Sequence, residues 1–250
     1  MAVLRTRAII LRHNTDREYD RQLVVFSAEY GQLRLRARGT KKSVSKLGGS
    51  LEPLMEVDLT LANGRTVDLV TGSIILDRFS PIRNEVVSLV AAQWFLELVE
   101  RLTKPNHANP ELYQIIRQEL RAMSGEQDWS LGRRWLALLR RAWRILNHEG
   151  FAPVFDRCGR CHQTITKTEP TRYEAVHGFV HAAESQLGLE VSAATRAMLR
   201  DGQVVSSERQ LFAELFPIVE SLIHHTLDRP LRSESVLRSV FRQARLSDRS

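Results

Sequence analysis

Through the first eighty residues apolar and polar positions mostly alternate, and beyond them the apolar positions recur every three or four residues. The first period is that of a strand, whose successive side chains face opposite ways; the second is that of a helix. The alternation predicts strands over 3–11, 32–38 and about 57–61, and richness in Val, Leu and Phe one over 22–28; a further strand is expected over about 65–76. Asn63-Gly64, between the last two, predicts a two-residue hairpin turn. Five short strands in this space predict a small barrel. A five-stranded oligonucleotide-binding (OB) barrel is the natural form, and an SH3-like barrel is the alternative.

Ser80-Pro81 closes the strand-rich part, and Asn84 is placed to cap a helix reaching about residue 102. Pro105 and Asn106 break it. A second helix is expected from Asn109-Pro110 to Met123, with proline at a first helical position, and a third over about 131–148, with Gly150 as its stop. Trp135, Leu138, Leu139, Ala142 and Leu146 give the third an apolar stripe, while Arg133, Arg134, Arg140, Arg141 and Arg144 occupy its other faces. An irregular stretch over about 151–187 precedes a short helix capped by Ser192 and ending at Gly202. Two more helices follow at about 208–227 and 233–245, divided by Arg229-Pro230. The expected class is α+β: a barrel domain over 1–80 and a helical domain over 81–250.

Composition adds a bias toward acidic partners. Lys and Arg outnumber Asp and Glu by 36 to 29 in 250 residues, a net charge of +7, and 43% hydrophobic content suffices for a real core. No apolar run approaches the roughly 20 residues that span a bilayer, and the N-terminus has no secretion-signal pattern. Two cysteines make no disulfide framework, so a cytoplasmic protein is expected.

The charge is concentrated. Residues 31–50 carry six basic side chains and no acidic one. Arg34, Arg36 and Arg38 alternate with Leu33, Leu35 and Ala37, so a strand there would be apolar on one face and bear guanidinium groups on the other, about 6.6 Å apart. Lys41, Lys42 and Lys46 extend the stripe into a Gly/Ser/Thr-rich loop. Such a row is either a solvated face or a track for phosphates. Tyr19 and Tyr30, flanking loops, are candidate stacking platforms for unpaired bases, whereas Phe26 belongs to the core.

Two clusters could carry other chemistry. Cys158-Gly-Arg-Cys161 has the spacing of a zinc knuckle, with His162, His177 and His181 nearby and Glu184 three residues after His181; a metal-free remnant is the alternative. Asp16, Glu18 and Asp20 could hold Mg²⁺ for phosphodiester hydrolysis, although their setting among turn-forming residues favours a solvated turn. No P-loop, nucleophile elbow or dinucleotide fingerprint is present.

Taken in order, these segments resemble the bacterial RecO family of recombination mediators. Arg7-Ala8-Ile9-Ile10-Leu11 is similar to its first strand, and Glu18-x-Asp20, Leu23-Val24-Val25-Phe26-Ser27 and Tyr30-Gly31 to its acidic turn, second strand and glycine turn. Ala37-Arg38-Gly39 with Lys41-Lys42, and Ser45-Lys46-Leu47-x-Gly49-x-Leu51-x-Pro53, resemble its basic loop. Glu97-Leu98, Gly150-Phe151-Ala152-Pro153, Cys158-x-x-Cys161 and Leu231-Arg232-Ser233 with Leu237 continue the likeness over nearly the full length. Where many members have a second cysteine pair, this chain has His181 and Glu184.

The resemblance implies an OB barrel on a helical domain with a zinc-loop-like insertion at about 151–187, and His181 as third ligand beside Cys158 and Cys161 should zinc be bound. It implies a non-enzymatic DNA-repair protein of the cytoplasm and nucleoid. Such a protein binds single- and double-stranded DNA, anneals complementary strands and helps load the recombinase RecA onto DNA coated by single-strand-binding protein. The implied partners are RecR, RecF in some cases, and the acidic C-terminal tail of single-strand-binding protein. Alternatives from the residues alone are an RNA- or ribosome-associated barrel protein and a metal-dependent nucleic-acid enzyme.

Overall fold

The computed structural model describes residues 3–16, 19–40, 47–64, 67–202 and 208–247. Five strands, β1 (Val3–Thr15), β2 (Arg21–Ser27), β3 (Gly31–Ala37), β4 (Glu56–Ala62) and β5 (Asp68–Asp77), close into a barrel in the order β1-β2-β3-β5-β4. All neighbours run antiparallel except β3 and β5, which meet in parallel at Leu35 opposite Asp68 and Arg36 opposite Leu69. This is the OB-type barrel, and the SH3-like alternative falls away. Ala8, Ile10, Leu23, Val25, Leu35, Ala37, Val57, Leu59, Leu61 and Val70 fill its interior, with Leu51 and Met55 packed among them. Each such large aliphatic side chain contributes about 1.5–3 kcal/mol by leaving water.

β1 is buried on both faces over Ala8–Leu11, which explains the unbroken apolar run there. Ala8 and Ile10 face the barrel core; Ile9 is turned the other way, on the side where α2 (Val86–Leu102) packs. Arg12, beyond a bulge in the β1–β2 register, fixes that packing: its Nε lies 2.8 Å from both carboxylate oxygens of Glu100.

Three expectations shift here. Asn63-Gly64 does not form a two-residue turn, since β4 ends at Ala62 and β5 begins at Asp68; the Asp68 carboxylate accepts from the Gly64 N–H (3.1 Å) and closes a wider loop. Ser80-Pro81 opens a one-turn helix, α1 (Ser80–Arg83). Asn84 ends α1, and Glu85 caps α2 instead, its carboxylate accepting from the Val87 and Ser88 amides. α3 (Pro110–Met123) starts as expected, with Asn109 accepting from the Leu112 amide.

The chain forms two compact units, Met1–Trp129 with Leu231–Ser250, and Ser130–Pro230. The first unites the barrel, α1, α2, α3 and the last helix, α7 (Glu234–Ser247). Glu97 on α2 accepts from the Arg232 and Ser233 amides (2.8 and 2.9 Å), placing a carboxylate at the positive end of α7. The second unit holds α4 (Leu131–His148), α5 (Ala193–Asp201) and α6 (Glu208–Thr226). Trp143 Nε1 on α4 donates to the Leu199 carbonyl of α5 (2.8 Å). The stretch expected to be irregular contains β6 (Thr171–Glu174) and β7 (Gly178–His181), which with β8 (Leu189–Val191) just beyond it form an antiparallel sheet in the order β7-β6-β8. Among the described residues no helix is long and apolar enough to cross a membrane.

Barrel stability carries a pH signature at Glu52, just before β4. Burial pushes its carboxyl up, but His13 Nε2 (3.0 Å) and Arg21 Nη1 (2.7 Å) outweigh burial and hold it below the usual range. A carboxyl lowered in the folded state stabilises it above the unfolded pKa, and that contribution is lost as pH falls through the folded value. Stability should therefore decline as the pH drops from about 5 downward, and in Glu52→Gln the decline should be shallower. Urea midpoints collected across that range check this.

Candidate nucleic-acid interface and cysteine knuckle

The alternation that closes the barrel also sets out the arginines. Leu35 and Ala37 on β3 point into the core with Leu33 packed against it, so Arg34 and Arg36 point outward, and Arg38 follows in the turn after the strand. Gln32 on the same face is covered, its Nε2 donating to the Glu100 carbonyl (2.9 Å). The accessible row thus begins at Arg34. Its members are not equivalent. Arg36 is half-buried and its Nε donates to Asp16 Oδ2 (2.6 Å), with Nη2 on the same oxygen. Arg34 and Arg38 are exposed, and neither forms an ion pair among the described residues. Lys41, Lys42 and Lys46 lie outside the described residues.

The acidic turn is occupied. Asp16 holds Arg36, Asp20 Oδ1 accepts from the Gly39 amide (3.0 Å), and the Asp16 amide donates to the Asp20 carbonyl (3.1 Å); Glu18 lies outside the described residues. Asp16 and Asp20 therefore tie the β1–β2 turn to the end of β3, which is the turn-shaping role. Phe26 and Phe79 are buried, whereas Tyr19 and Tyr30 are 45% and 37% exposed. On α4, Arg133, Arg140 and Arg144 share an exposed face at helical spacing; Arg141, expected beside them, is buried.

In the second unit the cysteine pair is built for close approach. Cys158 is buried and Cys161 half-buried, both as free thiols. The Cys158 amide donates to the Gln163 carbonyl (2.9 Å), the His162 amide to the Cys158 carbonyl (3.0 Å), and His162 takes a left-handed conformation (φ 60°) to complete the tight turn. A Cβ on Gly159 would stand 1.7 Å from the His177 carbonyl oxygen, so only glycine lets the two loops meet. Burial pushes the Cys158 thiol up, but the Cys161, His181 and Arg160 amides aimed at it outweigh burial and lower it.

These loops bring Cys158, Cys161 and His181 together, with one ligand atom from each within 4.8 Å of the others. That is close enough for one tetrahedral ion with bonds of about 2.0–2.3 Å to gather them. His181 Nε2 is buried and has no hydrogen-bond partner, while Nδ1 lies 3.2 Å from Glu169 Oε1. Glu184 stays outside the group, and His162 and His177 are exposed. Glu169 escaped the sequence reading: it lies in a loop and reaches His181 only because β6 and β7 pair Thr171 with His181.

Comparison with known proteins agrees with this architecture. The sequence model of a family described as Recombination protein O N terminal matches residues 1–79, and that of Recombination protein O C terminal matches 83–235. A protein of Roseiflexus sp. named DNA repair protein RecO is 31% identical over 257 residues, covering 98% of this chain and 88% of its own length. Proteins of the same name from Dehalococcoides mccartyi and Geobacter metallireducens are 29% and 26% identical, covering 78% and 96% of this chain and 76% and 99% of their own lengths. With both family models matched in order on a closed OB-type barrel and the helices that follow it, the chain belongs to the RecO family.

Proposed function

We propose that this protein is a DNA-repair recombination mediator that works by binding, without catalysing a covalent step. The observation that carries the reading is the outward row on β3 of a RecO-family barrel, where Arg34 and Arg38 stand exposed without ion-pair partners among the described residues. Side chains of this kind neutralise backbone phosphates and release counterions, which binds single- and double-stranded DNA with little regard to sequence. Annealing follows from the same physics: two strands held on one basic surface repel each other less, and base pairing proceeds. Lys41, Lys42 and Lys46 would extend this row, and Arg133, Arg140 and Arg144 of α4 offer a second basic face for DNA or an acidic peptide.

RecR, RecF and the C-terminal tail of single-strand-binding protein are the partners this reading supplies, with RecA loaded downstream. Cys158, Cys161 and His181 fit zinc, because the one unpartnered buried nitrogen among them belongs to His181 and the Cys158 sulfur is met by three amides. A bound zinc would cross-link the 158–162 turn to β7 and serve stability.

Strand annealing of complementary oligonucleotides, with and without single-strand-binding protein, tests the role. Faster annealing that persists on coated strands is expected. Preference for RNA over DNA, or Mg²⁺-dependent strand cleavage, would overturn the mediator reading.

A further inference from the structure

We infer that Glu169 is the positioning residue of the metal centre: its carboxylate fixes His181 so that Nε2 is presented to the ion between Cys158 and Cys161. This rests on the reading that those three residues hold zinc. The chemistry of the ligand set makes such a residue necessary. A thiolate binds from almost any torsion, whereas an imidazole must present one particular nitrogen, unprotonated and in the ring plane. Here the third ligand beside two cysteines is a histidine, and a histidine ligand is held by a partner on its other nitrogen.

The structure provides one. Glu169 Oε1 lies 3.2 Å from His181 Nδ1. A carboxylate there favours the tautomer protonated at Nδ1, which leaves the Nε2 lone pair free, and Nε2 is the buried nitrogen without a hydrogen-bond partner. Glu169 is itself held in place. Its Oε1 accepts from the Thr166 amide (3.1 Å), and its backbone carbonyl accepts from Arg196 Nη1 (3.1 Å). Arg196 is 4% exposed on α5 and also grips the Thr166 carbonyl. Burial lowers the pKa of this guanidinium, while Glu169 acts in the opposite direction. A relay therefore runs from a buried arginine through the 166–169 loop to the imidazole. Its members are spread over 30 residues of sequence, from Thr166 to Arg196, and no local motif announces them.

Chelator competition on the full-length protein, read by a zinc indicator, tests the inference. The unmodified chain should bind one equivalent. Glu169→Ala should bind about 10–100-fold more weakly, the usual cost of losing an outer-shell partner, and Glu169→Gln, which keeps a neutral acceptor, should fall between. A purely structural role for Glu169 is separated by a second background. In His181→Cys the ligand is a thiolate that needs no orienting carboxylate, so adding Glu169→Ala should leave its affinity unchanged. Cobalt(II) absorption, which reports the thiolate–imidazole ligand set, should keep its shape in Glu169→Ala while needing more metal to saturate. One equivalent of zinc in the unmodified chain together with unaltered affinity in Glu169→Ala overturns this inference and spares the zinc reading. An equal loss in the His181→Cys background also overturns it, and absence of zinc binding to the unmodified chain overturns both.

Discussion

Replacing Arg34 and Arg38 together by alanine should flatten the plot of log DNA affinity against log salt by nearly two, while Arg36→Ala alone should change it far less. Each phosphate neutralised by a cation contributes about 0.9 to that slope on duplex DNA and about 0.7 on single strands. Two exposed guanidinium groups without ion-pair partners among the described residues thus account for roughly 1.8 and 1.4. Arg36 differs because Asp16 already neutralises it at 2.6 Å. If a phosphate takes Arg36, the freed Asp16 carboxylate gathers a cation in turn, and net counterion release is close to nothing. The corollary is directional: Asp16→Asn should tighten DNA binding and steepen the slope by up to about one. Fluorescence anisotropy with a labelled oligonucleotide at several salt concentrations reads all three variants. An unchanged slope in a folded Arg34→Ala/Arg38→Ala protein would remove the row from the binding surface. Binding should weaken about equally on unrelated sequences, because phosphate contacts carry no base information.

That inequality among three arginines shows where sequence patterning stops. The alternation through Leu33, Leu35 and Ala37 states which face each arginine takes, because a strand buried on one side writes its geometry into every second position. It is silent about Asp16, twenty positions away. Only the registers that set Thr15 opposite Arg21 and Gln22 opposite Arg36 bring that carboxylate to the row. The same holds in the second unit. Cys158 and Cys161 are legible because a knuckle is local, and His181 was reachable through family likeness. Glu169 depends on the pairing of Thr171 with His181, in a sheet whose strands of three or four residues are too short to show a period. Helix starts are more legible, since proline and cap residues such as Asn109 and Ser192 mark them chemically. At Asn84 the expected cap lies one residue early, because Asn84 ends α1 and the Glu85 carboxylate takes the free amides of α2.

A large loss of stability is expected at Glu56, the first residue of β4. Its side chain is only 3% exposed, yet it carries a carboxylate. Three residues of α3 spaced four apart answer it: Tyr113 Oη donates at 2.9 Å, Arg117 Nε at 2.9–3.0 Å, and Arg121 stands 3.8 Å away. Burial, reinforced by the Glu56 charge and hydrogen bond, pushes the Tyr113 hydroxyl well above its ordinary pKa, so it remains a donor throughout the neutral range. Glu56→Ala would leave the Tyr113 hydroxyl buried without an acceptor and Arg117 without a counter-charge. Breaking a buried pair from one side costs about 3–5 kcal/mol, and partial exposure of Arg117 places the expected loss near the lower end, about 3 kcal/mol. Tyr113→Phe removes one hydrogen bond to a charged group and should cost about 1.5–2 kcal/mol. The double variant should lose less than the sum, because both changes remove the same contact. Hydrogen exchange of barrel amides under increasing urea measures these losses in the unit concerned. A cost below about 1 kcal/mol for Glu56→Ala would mean that water replaces the carboxylate at Arg117. Glu56 and the arginine row lie on different parts of the barrel, so Glu56→Gln, which keeps an acceptor for Tyr113, should leave the salt slope of DNA binding where it was. That separation distinguishes a clamp between barrel and helix from a residue of the binding surface.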